Sequence, residues 1–288
     1  MNKLLIMVPV WKRPEILKLF VSRLNVPNYM QTRILFLVSP EDPYFKANLK
    51  LINGFDKFII ENETLGRKKN LGLTHAFQYD WNYFIEFGSD DIFLPELWYV
   101  YKPLFQKYKY FGIKNAACYD TKTGKATLSK GYNEGNAIGA GRVIYRSIIE
   151  QVGKLWRDDW SVGMDGCSHF KIEKAGYKQY VYDNKEPLIL DIKTATNLNS
   201  FFEIEGEEIE TEYIMNRFSL DKNSIDPIFF TTIELTEFHN RVEIATQKIG
   251  NKKLAFEQVN TEYAAAFGRL KYKNYESYRV HVSKDLKR

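Results

Sequence analysis

The sequence predicts an α/β protein: a mostly parallel sheet flanked by helices, followed by a helical C-terminal extension. Three observations carry this. Short apolar runs that read as buried strands alternate with amphipathic segments as far as Phe87, the order of strands and crossover helices in a parallel sheet. Polar punctuation follows each run, where an open α/β sheet binds its ligands. Beyond Glu203 strand-like runs give way to two amphipathic helices.

Taken in order, Lys3 to Val10 is a buried strand ending at Pro9. Pro14 to Leu24 is a helix with Ile16, Leu17, Phe20 and Leu24 on one face, and Pro14 suits a first helical turn. Arg33 to Val38 is a second strand, ended by Ser39-Pro40-Glu41-Asp42-Pro43. A helix over Tyr44 to Ile52, a strand over Lys57 to Ile60, a helix over Leu65 to Ala76 and a strand over Tyr83 to Phe87 complete the alternation. The strand ends carry Pro9-Val10-Trp11, Ser39 to Asp42, Glu61-Asn62-Glu63 and Ser89-Asp90-Asp91, so polar residues converge on one edge.

Past residue 95 the regularity weakens. Glu96 to Lys107 is helical, Ala116 to Tyr119 is a strand entering a hairpin at Thr121 to Lys125, and Gly131 to Gly141 is a glycine-rich loop. Helices over Ser147 to Val152 and Cys167 to Ala175 end at Gly153 and Gly176. Gln179 to Tyr182 and Pro187 to Ile192 read as strands. Glu203 to Glu212 holds six Glu and reads as a solvated, mobile segment. The last two helices carry Leu235, Phe238, Val242, Ala245 and Ile249, then Phe256, Val259, Tyr263, Phe267 and Leu270. The expected division is residues 1–200 and 201–288.

Composition excludes several classes. The 288 residues are enough for a full core, and no apolar run approaches the roughly 20 residues of a membrane helix. Cys118 and Cys167 give neither a disulfide framework nor metal spacing, which suggests a reduced, cytosolic protein. Residues 241–288 hold eleven Lys/Arg against five Asp/Glu, with Tyr and Phe interleaved. That basic end is either a solvated face or a surface for a polyanion.

Asp90 and Asp91 follow a buried strand, where Asp is depleted and two adjacent carboxylates repel. Such a pair asks for a counter-charge, which a divalent cation carrying a diphosphate supplies. A strand-to-turn boundary leading into a helix cap is the structural alternative.

The order of motifs resembles the GT-A-type glycosyltransferases, family 2 in particular. Val8-Pro9-Val10-Trp11-Lys12-Arg13-Pro14 is similar to that family's opening, and Gly66-Arg67-Lys68-Lys69-Asn70-Leu71-Gly72 to its "GRARNLG" helix. Gly88-Ser89-Asp90-Asp91 sits where its DxD-type metal motif falls. Trp160-Ser161-Val162-Gly163-Met164-Asp165-Gly166 resembles its "GED" segment, and Gly139 to Arg146 its acceptor-side segment. The match spans roughly residues 1–195.

The resemblance implies a Rossmann-like GT-A fold and a nucleotide-sugar donor, a UDP-sugar in particular. Pro9, Trp11, Arg13 and Asp42 (or Glu41) would then meet the nucleotide, flanked by Arg67 and Asn70, with Arg67 available to the diphosphate. Asp90 would contact ribose or metal, and Asp91 would ligate Mn²⁺ or Mg²⁺. Asp165 would be the general base for an inverting displacement; its alternative role is to cap the 167–175 helix. Lys193, Thr194 and Asn197 would close over the diphosphate. Two departures stand out: Met164 replaces the usual Glu before Asp165, and Ser89 occupies the first DxD position. His169, His239 and His281 read as core or surface histidines rather than metal ligands.

The expected activity is metal-dependent transfer of a hexosyl or pentosyl group to an acceptor hydroxyl, on a glycan or on a hydroxylated base in DNA, as in some bacteriophages. A nucleotidyltransferase and a nucleic-acid-binding module are the competing readings. The former usually has a glycine-rich phosphate loop after its first strand, and Pro9 to Pro14 contains no glycine.

Overall fold

Two sheets, rather than one, position the strand ends in the computed structural model, which describes residues 2–129, 135–194, 206–220, 227–267 and 275. Contacts divide the chain into two compact units, Met1–Pro227 and Ile228–Arg288.

The first unit opens as expected with β1 (Lys3–Pro9), α1 (Pro14–Ser22), β2 (Gln31–Val38), α2 (Phe45–Leu51), β3 (Asp56–Ile59), α3 (Leu65–Ala76) and β4 (Tyr83–Glu86). It continues through β5 (Asp91–Phe93), α4 (Glu96–Lys107), β6 (Tyr110–Ile113), β7 (Ala116–Asp120), β8 (Lys125–Ser129) and β9 (Val143–Tyr145). Then come α5 (Arg146–Val152), α6 (Met164–Lys174), β10 (Tyr180–Tyr182), β11 (Ile189–Lys193), β12 (Glu207–Ile209) and α7 (Thr211–Arg217). The larger sheet runs β10-β6-β9-β4-β1-β2-β3 and the smaller β12-β8-β7-β11-β5. In the larger sheet β1 pairs in parallel with β2 and β4, and β2 with β3; β9 enters antiparallel between β4 and β6. This is a Rossmann-like α/β architecture.

Period-two alternation decides which strand residue faces which layer. Leu5, Met7, Leu35 and Leu37 pack with Leu73 of α3, Ile148 and Ile149 of α5, and Ile172 of α6. The residue between Leu35 and Leu37, Phe36, instead meets Phe20 of α1 edge-on at 6.3 Å. Helices therefore cover both faces of the larger sheet.

Three differences from the sequence expectation bear on function. The expected 167–175 helix begins three residues earlier, at Met164, with Gly163 as its left-handed N-cap at φ 68°. Asp165 is thus inside the first turn and is not the capping residue. The acidic stretch expected to be a solvated, mobile segment contains β12, whose Glu207 and Ile209 pair with Leu128 and Ala126 of β8, and then α7. The first unit therefore continues past position 200, to Pro227.

The second unit contains α8 (Pro227–Ile249) and α9 (Lys252–Phe267), with Phe238, Val242, Phe256 and Val259 buried together. Among the described residues, no helix is long and apolar enough to cross a membrane.

Candidate active site

Strand β5 begins at Asp91 because the chain turns sharply after β4. Gly88 allows that turn to close. A Cβ there would sit 2.4 Å from the Asp90 carboxylate and 3.1 Å from that of Asp91, so any side chain would fill the space these groups occupy. The Gly88 amide donates to Asp91 Oδ2 at 2.5 Å. Strand β11 runs antiparallel to β5 with Asp191 opposite Asp91. Ligand oxygens of Asp90, Asp91 and Asp191 all lie within 4.8 Å of one another.

Among the described residues, Arg13 and Lys193 pair with members of this trio. Arg13 Nη1 lies 2.9 Å from Asp90 Oδ2, and Lys193 Nζ lies 2.6 Å from Asp191 Oδ2. Burial pushes the Asp90 carboxyl up, but Arg13 and Lys193 outweigh it and hold it below its ordinary value. Burial, followed by the charges of Asp191 and Asp90, holds Asp91 well above the ordinary range. Burial likewise raises Asp191, against the pull of Lys193. Asp191 Oδ1 is buried with no hydrogen-bond partner. An all-carboxylate donor set with an orphaned buried oxygen fits a hard divalent cation, Mn²⁺ or Mg²⁺.

The loop between β1 and α1 is shaped to deliver Arg13. Lys12 and Arg13 both take the left-handed conformation, at φ 61° and 50°. Asp42, buried after β2, fixes that loop: its Oδ2 accepts from the Lys12 amide at 2.6 Å and from Asn48 Nδ2 at 3.0 Å. Its Oδ1 accepts from the Tyr44 amide at 2.8 Å. Pro9 closes β1, and the half-buried Trp11 ring lies 5.8 Å from Lys68 Nζ. Lys68, itself buried, donates to the Val10 carbonyl at 2.7 Å and to Asn62 Oδ1 at 3.2 Å. Lys68 therefore ties the ends of β1 and β3 together from α3.

Asp165 lies on a second glycine. A Cβ on Gly139 would come within 2.0–2.2 Å of three atoms of the Asp165 carboxyl group. Gly141 of the same loop donates to the Glu86 carbonyl at 2.9 Å, and its Cα faces Ile189 of β11. Arg142, buried, donates to the Asp165 carbonyl at 2.9 Å and to Ser168 Oγ at 3.2 Å, which anchors the first turn of α6. Glu86 pairs with the buried Lys69 at 2.5 Å; burial raises its pKa, Lys69 opposes this, and Asp165 adds to the rise. Asp165 and Glu86 are thus electrostatic neighbours across the 139–141 loop.

Other expected site residues have different surroundings. Arg67 is half exposed and pairs with Glu63 at 3.1 Å. Asn70 donates to the Trp156 carbonyl at 2.9 Å and to Asp158 Oδ1 at 2.7 Å, and accepts from the Trp156 amide. None of these partners belongs to the carboxylate cluster. Lys193 is at the cluster, whereas Asn197 lies outside the described residues. His169 is buried, with Nδ1 2.9 Å from the Tyr110 hydroxyl and Nε2 3.3 Å from Glu173. Asp191, Glu86, Lys69 and Arg142 were not singled out by sequence. A signal existed for Asp191, a single acid in the apolar run 187–192, a residue type that strands disfavour.

No protein-family model matches the chain, and no curated protein sequence matches it. Among solved structures, the chain is similar to residues 1–349 of TarS from S. aureus at 12% identity, over 92% of this chain and 74% of that one, with a TM-score of 0.47. The same TarS segment in complex with UDP-GlcNAc gives 11% identity over 92% and 81%, with a TM-score of 0.49. The inositol-1-phosphate CTP transferase of T. maritima gives 14% identity over 70% and 94%, with a TM-score of 0.44. These are likenesses of outline; what the site can do rests on its own residues.

Proposed function

We propose that the chain is a metal-dependent, inverting glycosyltransferase of GT-A type, moving a sugar from a nucleotide-sugar donor to an acceptor hydroxyl. The observation that carries this reading is the convergence of Asp90, Asp91 and Asp191 within 4.8 Å at the end of the sheet, with Arg13 and Lys193 beside them. Asp165, on the far side of the Gly139 loop, supplies a separate carboxylate.

Asp90, Asp91 and Asp191 would hold Mn²⁺ or Mg²⁺, which when bound supplies charge to neutralise a departing diphosphate. Arg13 and Lys193 add fixed positive charge at the same place. Asp165 takes the proton of the acceptor hydroxyl as its oxygen attacks the anomeric carbon. The bond from that carbon to the diphosphate oxygen breaks, and its electron pair leaves with the nucleoside diphosphate. A single displacement of this kind inverts the anomeric configuration. The residues after β1 and β2, from Pro9 to Arg13 and at Asp42, line the expected nucleotide side.

The test is a panel of nucleotide sugars incubated with the full chain and Mn²⁺, read as nucleoside diphosphate release. Release from one sugar class, lost in chelator and in Asp91→Asn, is the expected result. Release of inorganic pyrophosphate from a nucleoside triphosphate and a sugar phosphate would instead indicate nucleotidyl transfer. Turnover indifferent to chelator and to Asp91→Asn would remove the metal from the mechanism.

A further inference from the structure

Two of the carboxylates that would hold a divalent cation already hold cationic side chains. Arg13 pairs with Asp90 and Lys193 with Asp191, within a trio of carboxylates whose oxygens lie within 4.8 Å of one another. A divalent cation arriving alone meets the charge of both side chains at close range. It must also compete with Arg13 for Asp90 Oδ2 and with Lys193 for Asp191 Oδ2, the oxygens these side chains hold at 2.9 and 2.6 Å. A diphosphate arriving alone meets the three carboxylates while Arg13 and Lys193 are still held by two of them. When the two arrive together, the cation offsets the charge of the diphosphate, and the diphosphate offers the displaced side chains a new partner.

The side chains are suited to changing partners. Lysine carries three donors on a flexible four-carbon stem, and arginine presents a fork that matches a phosphate as well as a carboxylate. Their backbones are held independently of their tips. The Lys193 carbonyl accepts from the Thr121 amide and hydroxyl, both at 3.0 Å, and the Arg13 carbonyl accepts the Leu17 amide of α1 at 3.0 Å.

We propose that Arg13 and Lys193 are exchangeable counter-ions. They leave Asp90 and Asp191 for the donor's diphosphate as those carboxylates turn to the divalent cation. Cation and diphosphate then bind with positive coupling that these two side chains set. The inference rests on the metal-dependent reading above and adds a consequence that simple metal bridging lacks. Removing either cation relieves competition for the carboxylates, so metal binding in the absence of nucleotide becomes tighter, not weaker. By linkage, the same change reduces the factor by which each ligand helps the other.

The experiment is calorimetric titration of the full chain with Mn²⁺ and with UDP, each alone and with the other at saturation. The proteins are wild type, Lys193→Met, Arg13→Met and Lys193→Arg. The expected result is that Lys193→Met and Arg13→Met bind Mn²⁺ alone about 5-fold tighter or more, the low end of usual coupling factors. Both bind UDP more weakly in Mn²⁺, with a smaller coupling factor, while Lys193→Arg keeps the wild-type pattern. Thermal melting establishes that each variant folds, and Arg13→Met carries the test if Lys193→Met does not. Mn²⁺ affinity unchanged or weakened in the folded Met variants overturns the exchange while leaving the metal site standing. No Mn²⁺ binding by wild type, with or without UDP, overturns the metal reading and the exchange together.

Discussion

Asp91 of β5 and Asp191 of β11 are directly opposed across an antiparallel pair. Like charges in that position destabilise a sheet. Asp91→Asn keeps an oxygen for the Gly88 amide and removes one of the two charges. In metal-free buffer it is expected to melt at or a few degrees above wild type, since about 1 kcal/mol moves Tm by roughly 2–4 °C in a domain of this size. In Mn²⁺ it is expected to lose both the metal-induced rise in Tm and turnover. A variant that melts well below wild type without metal would mean the carboxylate is there for structure.

Asp165 and Gly139 are expected to fail in the same way. Asp165→Asn should lower kcat by about 10²–10⁴-fold, the usual contribution of a positioned proton acceptor, and leave donor affinity in place. Gly139→Ala introduces a methyl where the Asp165 carboxyl lies, 2.0 Å away. It should displace that group and reduce kcat with the donor Kd unchanged. Steady-state kinetics of a Gly139→Ala protein with wild-type kcat would separate the loop from the base.

Asn70 and Arg67, neighbours on α3, are expected to diverge. Asn70→Ala removes hydrogen bonds to the Trp156 carbonyl and amide and to the Asp158 carboxylate, although Lys171 and Lys154 still serve the carbonyl and the carboxylate, at a cost of about 1–3 kcal/mol. Its urea midpoint should fall while donor affinity changes little. Arg67→Ala should unfold as wild type does, because an exposed pair with Glu63 contributes little. A loss of donor affinity in Asn70→Ala without loss of stability would reverse this assignment.

Lys68 makes stability depend on alkaline pH. Burial lowers its pKa from 10.5 to about 8, against the opposing charges of Asp42 and Glu41. The unfolded chain then binds the proton more tightly than the folded one. The contribution of Lys68 is therefore least favourable below pH 8 and improves as pH rises from about 8 to 10.5. The integrated effect is about 3 kcal/mol. Other groups titrate in that window, so the measurement is the difference between wild type and Lys68→Met in urea unfolding across it. Parallel curves would show that Lys68 carries no buried charge.

The first four strands were legible because each is an apolar run whose length and punctuation are local properties. Asp90-Asp91 was legible for the same reason: two acids after such a run break a local rule. The three-residue strands at Asp91–Phe93 and Val143–Tyr145 were not, because their pairing with Ile189–Asp191 and with Tyr83–Ile85 is set by distant chain. That non-local register is also what brings Asp191 to the cluster. Asn70 illustrates the converse. Its spacing after Gly66 is read from the helix alone, but the N-terminus of α3 is pressed against another loop. Gly66 donates to the Trp160 carbonyl at 2.8 Å, and a Cβ on it would strike the Arg157 carbonyl at 1.9 Å.

The two successive left-handed residues at Lys12 and Arg13 carry a consequence for affinity. Each costs about 1–2 kcal/mol for a residue with a Cβ, and Asp42 holds the loop in that form through the Lys12 amide. The unfavourable geometry and the loss of backbone freedom are both incurred when the chain folds. A phosphate group meeting Arg13 therefore has no loop left to order, and more of the contact energy is realised as binding. Lengthening this turn by a glycine would relax the fold locally and weaken the grip on an anion, although no residue that touches it had changed.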